Sequence, residues 1–231
     1  MNLILLFEDD FIDDRRVRLA GRRLEHVAHV HRAAVGDVLI VGVAGGRIGR
    51  GQIARLDATA LEMDVTLTDE PPPPLPLTLL LALPRPKVLN RVIAGATSLG
   101  VKRIILMNAW RVEKSYWKSP RLSEENLLAQ RVLGLEQARD TRLPTIELQR
   151  LFRPFVEAFT PDALALIAHP KASRECPRDV REPVTLAIGP EGGFIEEEVV
   201  SLERAGFTPV AFGPRILRVE TAVAAVIGRL F

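Results

Sequence analysis

The sequence predicts an α/β protein in which a parallel sheet with helices follows a smaller β-rich module. Three observations carry this. Four consecutive prolines, Pro71-Pro72-Pro73-Pro74, with Pro76 just after, punctuate the chain, and such a run continues neither a helix nor a central strand. Before it, short strand-like runs alternate with glycines. After it, continuous apolar runs alternate with segments of helical spacing, the pattern of βα units. The 231 residues, 47% hydrophobic and 26% charged, suffice for one large or two small domains with a buried core.

Taken in order, Arg22–His31 reads as a short helix, and Asp37–Val43, Gly49–Leu56 and Leu61–Thr68 as strands. Glycines at 36, 42, 45, 46, 49 and 51 read as turn markers. We therefore expect a barrel-like first domain over residues 1–70, a proline-rich connector over 71–76 and a second domain over 77–231. In the second, Leu77–Leu83 has the unbroken apolar character of a buried parallel strand. Lys87–Leu99 is helical and stops at Gly100. Arg103–Met107 is the next strand, and Ser123 with Glu124 and Glu125 opens a helix that runs to about Arg139. Leu164–Ala168 and Val184–Ile188 are strands, and Glu196–Ala205 is a helix ending at Gly206. A short strand, Pro209–Phe212, and an apolar helix, Glu220–Leu230, complete the chain.

Charge and cysteine content narrow the classes. Lys and Arg number 31 against 29 Asp and Glu, so charge-driven disorder of the whole chain is excluded. One cysteine, Cys176, excludes a disulfide framework and a cysteine-cluster zinc site. It is read as incidental, since no catalytic pair accompanies it. The apolar runs Leu3–Phe7 and Leu75–Leu83 are too short to span a bilayer. The first lacks a basic flank and meets Glu8-Asp9-Asp10, so no signal peptide is expected and a cytoplasmic protein is the default.

The near-neutral balance hides two basic segments. Residues 15–32 hold Arg15, Arg16, Arg18, Arg22, Arg23 and Arg32 against Glu25 alone. Residues 84–121, with Lys87, Arg91, Lys114 and Lys118 among their cations, contain only Glu113 as an acid. Clustered cations fit a phosphate backbone, and the plain alternative is solvated helix faces. Trp110, Tyr116 and Trp117 lie within the second segment. Aromatics between cations suit stacking on unpaired bases, while core packing accounts for Trp110 equally well.

Two segments carry the chemistry. Ile188-Gly189-Pro190-Glu191-Gly192-Gly193-Phe194 joins a strand to a helix, the place where open α/β sheets bind ligands. Its glycines permit close backbone approach. A phosphate fits badly, because the loop has an acid, Glu191, where a phosphate loop has lysine. A ligand without phosphate and with positive charge, such as S-adenosylmethionine, suits it better; an ordinary strand–helix turn remains the alternative. The second segment, Phe212-Gly213-Pro214-Arg215-Ile216-Leu217-Arg218-Val219-Glu220-Thr221-Ala222, also follows a strand and opens a helix. Arg215 and Arg218 near a positive helix end suit an anion, with a surface pair of Arg218 and Glu220 as the structural alternative.

Together these two segments resemble the RsmE family, bacterial 16S ribosomal RNA uridine-N3 methyltransferases of the SPOUT class. The resemblance follows the layout of the whole chain and is strongest over residues 184–231. It implies a PUA-like β-barrel in front, a SPOUT methyltransferase domain behind with a deep trefoil knot, a homodimer, and S-adenosylmethionine bound in the knot. It implies cofactor contacts from His169, Pro170, Ile188, Gly189, Pro190, Glu191, Gly192, Gly193, Phe212, Gly213, Ile216, Leu217, Arg218, Thr221 and Ala222. Gly100-Val101 matches the family's Leu-Gly-Val turn, and Lys87 a basic position near it. The implied partner is 16S ribosomal RNA, free or within the small subunit, held by Arg15, Arg16, Arg22, Arg23, Arg32, Lys87, Arg91, Lys114 and Lys118, with no metal or membrane.

Some positions depart from the family. Ile195 replaces a hydroxyl residue before the acidic helix start, which predicts a lost cap. Residues 115–120 differ in wording, and Glu136-Gln137-Ala138-Arg139 stands for the usual Glu-Gln-Ser-x-Arg. For catalysis we expect Arg218 to stabilise charge on the uracil carbonyls and Glu191 or Glu220 to take the N3 proton. Alternatives are a non-catalytic RNA-binding module with a relic pocket, methylation of another nucleotide, and a metal protein built on His26, His29 and His31, which has no further ligand cluster.

Overall fold

In the computed structural model, which describes residues 2–231, the chain divides between Pro73 and Pro74 into two units. The first contains the residues up to Pro73 together with Val132–Leu143; the second contains Pro74–Arg131 and Pro144–Phe231. The division falls inside the expected connector. Residues 132–143, which the sequence reading put in the second domain, belong to the first unit.

The first unit is a curled mixed sheet of five strands, β1 (Ile4–Leu6), β2 (Arg16–Leu19), β3 (Val38–Val43), β4 (Ile48–Leu56) and β5 (Leu61–Asp69), in the order β1-β3-β4-β5-β2. Only the β1–β3 pair is parallel. Val17, Leu19, Val41, Ile53, Leu61 and Met63 alternate along the strands to face one core. The sequence reading missed β1 and β2, each too short to show a period. Gly49 and Gly51, which also count as turn markers, lie inside β4, the strand expected over Gly49–Leu56. Gly49 lies in the strand because a Cβ there would come within 1.9 Å of the Thr66 carbonyl oxygen, so only glycine permits this pairing. The helix expected over 22–31 is α1 (Gly21–His26) continued as π-helical turns over Val27–His31. His26 and His31 meet edge to face there, 5.0 Å between ring centroids.

Glu136 explains why 132–143 joins this unit. β1 is an edge strand, so its outward amides need partners. The Glu136 carbonyl accepts from the amides of Asn2 and Leu3, both at 3.0 Å, and its Oε1 accepts from Leu5 at 3.4 Å. Arg22 Nη2 lies 2.9 Å from the other carboxylate oxygen, and the Glu136 side chain is 2% exposed. Thr141 adds a hydroxyl bond to the Gly46 carbonyl at 2.6 Å.

Burial pushes the Glu136 carboxyl above its ordinary value of 4.5, against the pull of the Arg22 guanidinium. The folded chain therefore holds this proton to higher pH than the unfolded chain. The resulting stabilisation is complete below 4.5 and is lost as pH rises through the folded value. Urea unfolding at several pH values should show stability declining over that window. Glu136→Gln should flatten the decline, and an equal slope in both proteins rules out Glu136 as its source.

The second unit carries six parallel strands, β6 (Leu77–Ala82), β7 (Arg103–Met107), β8 (Thr145–Gln149), β9 (Leu164–Ala168), β10 (Val184–Ile188) and β11 (Thr208–Val210). Their order is β11-β9-β10-β6-β7-β8. Every residue of β6 and β10 is buried, as their apolar runs require of central strands. The helices of this unit are α2 (Pro86–Ser98), α4 (Phe152–Ala158), α5 (Glu196–Arg204), α6 (Val219–Leu230) and the first part of α3 (Glu124–Ala138), whose residues from Val132 on belong to the first unit. Pro86 opens α2, where a missing N–H costs nothing, and the Ser123 hydroxyl accepts the Asn126 amide at 3.2 Å, as a cap for α3. β8 and α4 were not foreseen: β8 is a half-exposed edge strand, and α4 is short. β9 and β10 lie side by side, so the chain reverses its direction of travel across the sheet between β6 and β10. The loops beyond β9, β10 and β11 all leave from the same carboxyl edge. No helix among the described residues is long and apolar enough to cross a membrane.

Candidate functional site

Beyond Ile188, the last buried residue of β10, the chain turns through Gly189–Gly193, with the Gly193 amide donating to the Pro190 carbonyl at 2.8 Å. Phe194, 6% exposed, anchors the far side of the turn in the core. Three tethers hold it. The Arg85 amide donates to Glu191 Oε1 at 3.0 Å. The Arg111 guanidinium donates to the Gly192 carbonyl, its stem packed where a Cβ on Gly192 would lie. Buried Glu198 accepts the Ile195 amide at 3.0 Å and the Trp110 amide at 2.7 Å. Ile195 offers α5 no side-chain cap, as expected; Glu198, three residues on, satisfies the amide of Ile195 itself.

β11 ends at Val210, two residues before the expected Phe212, and the second loop runs from there to Arg218, the N-cap residue of α6. Gly213 sits at φ 97°, a left-handed conformation in which a side chain is strained. The third wall is Ala168-His169-Pro170. The His169 amide donates to the Val210 carbonyl at 2.9 Å, and Cys176 and Arg174 exchange bonds with Ala211 at 2.9 and 2.8 Å. Residues 169–176 therefore run along the start of the second loop. Cys176 is buried and burial pushes its thiol up, which suits packing rather than nucleophilic attack.

These three segments enclose a cavity of about 1160 Å³, somewhat larger than ordinary small-molecule sites, which span roughly 300–1,000 Å³. Every residue assigned to a cofactor lines it except Thr221, which is exposed. On α6 the lining positions are Val219, Glu220, Ala222 and Val226, and Thr221 points away from them. All three proposed catalytic residues, Glu191, Arg218 and Glu220, line the cavity. Glu220 Oε1 lies 3.8 Å from Arg91 Nη1 rather than pairing with Arg218.

Sequence reasoning missed Arg85, Val88, Arg111, Lys171 and Val199 in the lining. Val88 and Arg91 share one face of α2, a spacing the sequence contains; Arg111 and Lys171 come from loops, where no period points to them. Lys87 is exposed and outside the lining.

The cations assigned to RNA divide into two kinds. Arg23 is turned inward, 19% exposed, in a two-bond pair with Asp10 at 2.6 Å and a bond to the Leu5 carbonyl at 2.8 Å. Arg16 pairs with Asp64 at 2.8 Å, and Arg22 with Glu136. Arg15, Arg32, Lys87, Arg91, Lys114 and Lys118 are exposed. Among the described residues, no three His, Cys, Asp or Glu side chains gather as metal ligands.

A family model described as an RNA methyltransferase domain matches residues 71–230. The ribosomal RNA small subunit methyltransferase E of Treponema pallidum is 28% identical, over 97% of this chain and 88% of its own length. A methyltransferase of Legionella pneumophila, solved with bound S-adenosylmethionine, has a TM-score of 0.77 at 24% identity and covers 98% of this chain and 95% of its own. The ribosomal RNA small subunit methyltransferase E of Neisseria gonorrhoeae, bound to S-adenosylmethionine, has a TM-score of 0.75 at 22% identity, with coverage of 98% and 95%. The two solved structures bear on the fold.

Proposed function

The chain belongs to the RNA methyltransferase family, and on that premise we propose that it methylates N3 of a uridine in 16S ribosomal RNA, using S-adenosylmethionine, as an enzyme of the RsmE type. The observation that carries this reading is the single cavity built from the Gly189–Gly193 turn, the Phe212–Ala222 loop and the Ala168–Pro170 wall.

The lining fits the cofactor. Ile188, Leu217, Ala222 and Val226 offer an apolar wall for an adenine ring, and backbone groups of the glycine turns suit its polar edge. Glu191 and Glu220 add negative charge that favours a sulfonium and an ammonium group. The volume leaves space for a nucleotide base beside it. S-adenosylmethionine, when bound, supplies a methyl group on a positively charged sulfur.

The chain's own residues account for the rest. The two loops hold both reactants in line, which is most of what methyl transfer requires. N3 lies on the Watson–Crick edge, so the uridine must be unpaired or flipped to reach it. Arg218, at the positive end of α6, stabilises negative charge on the uracil carbonyl oxygens. Glu191 engages Arg85 through Oε1, leaving Oε2 to accept the N3 proton; Glu220 is the alternative acceptor. The exposed cations Arg15, Arg32, Lys87, Lys114 and Lys118 bind the surrounding backbone. The enzyme acts as a cytoplasmic homodimer on 16S RNA, with its carboxy-terminal chain threaded as a trefoil knot. Support for the threading comes from the course of residues 169–176 along Ala211 and the bond from the Val180 amide to the Leu230 carbonyl at 2.7 Å.

The test is mass mapping of small-subunit RNA from a strain lacking the gene, with and without the gene restored. One N3-methyluridine should vanish and return. A different methylated nucleotide overturns the choice of target, and an unchanged pattern overturns the enzymatic reading.

A further inference from the structure

Trp110 follows β7 in the loop that also carries Arg111. The residue is 78% exposed, and among the described residues it is the one aromatic of the exposed large hydrophobics. The backbone beneath it is held firmly: its amide donates to the buried carboxylate of Glu198 at 2.7 Å, and the Val112 amide closes the turn on the Ala109 carbonyl at 3.0 Å. The neighbouring Arg111 reaches into the cavity lining and bonds the Gly192 carbonyl. Trp117, only seven positions away, is already occupied. Its indole N–H donates to Asn108 at 2.9 Å, and Arg150 lies 5.0 Å from its ring centroid. Among the described residues the Trp110 ring has neither a hydrogen bond nor a ring contact of its own.

A single exposed apolar ring is common on protein surfaces and asks for no partner by itself; what distinguishes Trp110 is its fixed backbone and the cations beside it. The exposed cations Arg111, Lys114, Lys118 and Arg121 follow within the same loop, against one acid, Glu113. A flat π surface followed by cations matches the chemistry of a single nucleic-acid strand, with bases to stack and phosphates to neutralise. Core packing, the other role the sequence allowed, is ruled out by the exposure.

We infer that Trp110 is a stacking platform for an unpaired base of the RNA, positioned beside the cavity that receives the target nucleotide. The inference rests on the RNA methyltransferase reading and adds a specific contact to it. The occupant is an RNA base rather than a second copy of the chain, because the loop's positive charge complements a phosphate backbone and repels its own like.

The chain has two tryptophans, so Trp117→Phe leaves Trp110 as the sole indole reporter. Its emission should be quenched saturably by a single-stranded, uridine-containing oligonucleotide and far less by a duplex of equal length. Trp110→Ala should weaken retention of the labelled single strand about tenfold, in the range for losing one stacked base. Affinity for S-adenosylmethionine and the melting temperature should hold, and Trp110→Phe should restore part of the binding. Retention of RNA without any change in Trp110 emission, or equal retention by Trp110→Ala, overturns the inference. So does an emission shift produced by raising protein concentration alone, which assigns the ring to contact between copies. If the wild-type protein retains no RNA, the reading on which the inference rests fails with it.

Discussion

Arg218→Ala is expected to lower turnover on small-subunit RNA by about 10²–10³-fold, the usual cost of removing one donor aimed at developing negative charge. The side chain is exposed at the N-cap of α6 and lines the cavity. Its loss leaves no buried group unsatisfied, so the melting temperature should hold. Deprotonated uracil carries its charge on two carbonyl oxygens, and a guanidinium is the donor best matched to such a group. Arg218→Lys keeps the charge without the fork and should fall between. Single-turnover rates with saturating S-adenosylmethionine separate this chemistry from cofactor binding. Full turnover by the alanine variant, with cofactor affinity unchanged, would falsify the role.

Glu198→Ala should cost roughly 2–4 kcal/mol of stability, because it strands the amides of Ile195 and Trp110 where Glu198 now satisfies both. For a chain of this size that corresponds to a melting temperature lower by on the order of 10 °C. The functional effect should be as large. Ile195 follows the glycine turn, and Trp110 precedes Arg111, so both loops that approach Gly192 lose their mount together. Affinity for S-adenosylmethionine should drop along with stability. Glu198→Gln retains one acceptor oxygen and should recover about half of the loss. Calorimetric melting beside cofactor titration checks both, and a variant that melts with the wild type but binds cofactor poorly would contradict the structural role.

The sequence made the second unit legible in most of its parts, because long buried elements write their period into the residues. Leu77–Ala82 and Val184–Ile188 are central strands with no solvent face, and their unbroken apolar runs say so. The elements it missed, β1, β2, β8 and α4, are short or lie at edges, where pairing rather than composition decides the conformation. Gly49 shows a related limit: its strand is legible in the sequence, but that the position admits only glycine is decided by the facing Thr66 carbonyl.

For the site, the division is similar. The two glycine-bearing loops could be identified from the residues alone, since each follows a strand, opens a helix and contains residue types that a helix or strand interior rejects. Their convergence on one cavity could not, because it depends on β9 and β10 lying side by side with β11 beyond. Nor could the sequence separate Arg23, turned inward onto Asp10, from Arg15 and Arg32, turned outward. All three are arginines in one basic segment, and only the carboxylate of Asp10, thirteen residues back in the chain, distinguishes Arg23. What the sequence determined by itself is local: which stretches bury both faces, where the backbone must bend, and which residues bring charge. What tertiary structure decided is which distant groups meet, because hydrogen-bond and ion-pair partners are set by distance in space, to which separation along the chain is no guide.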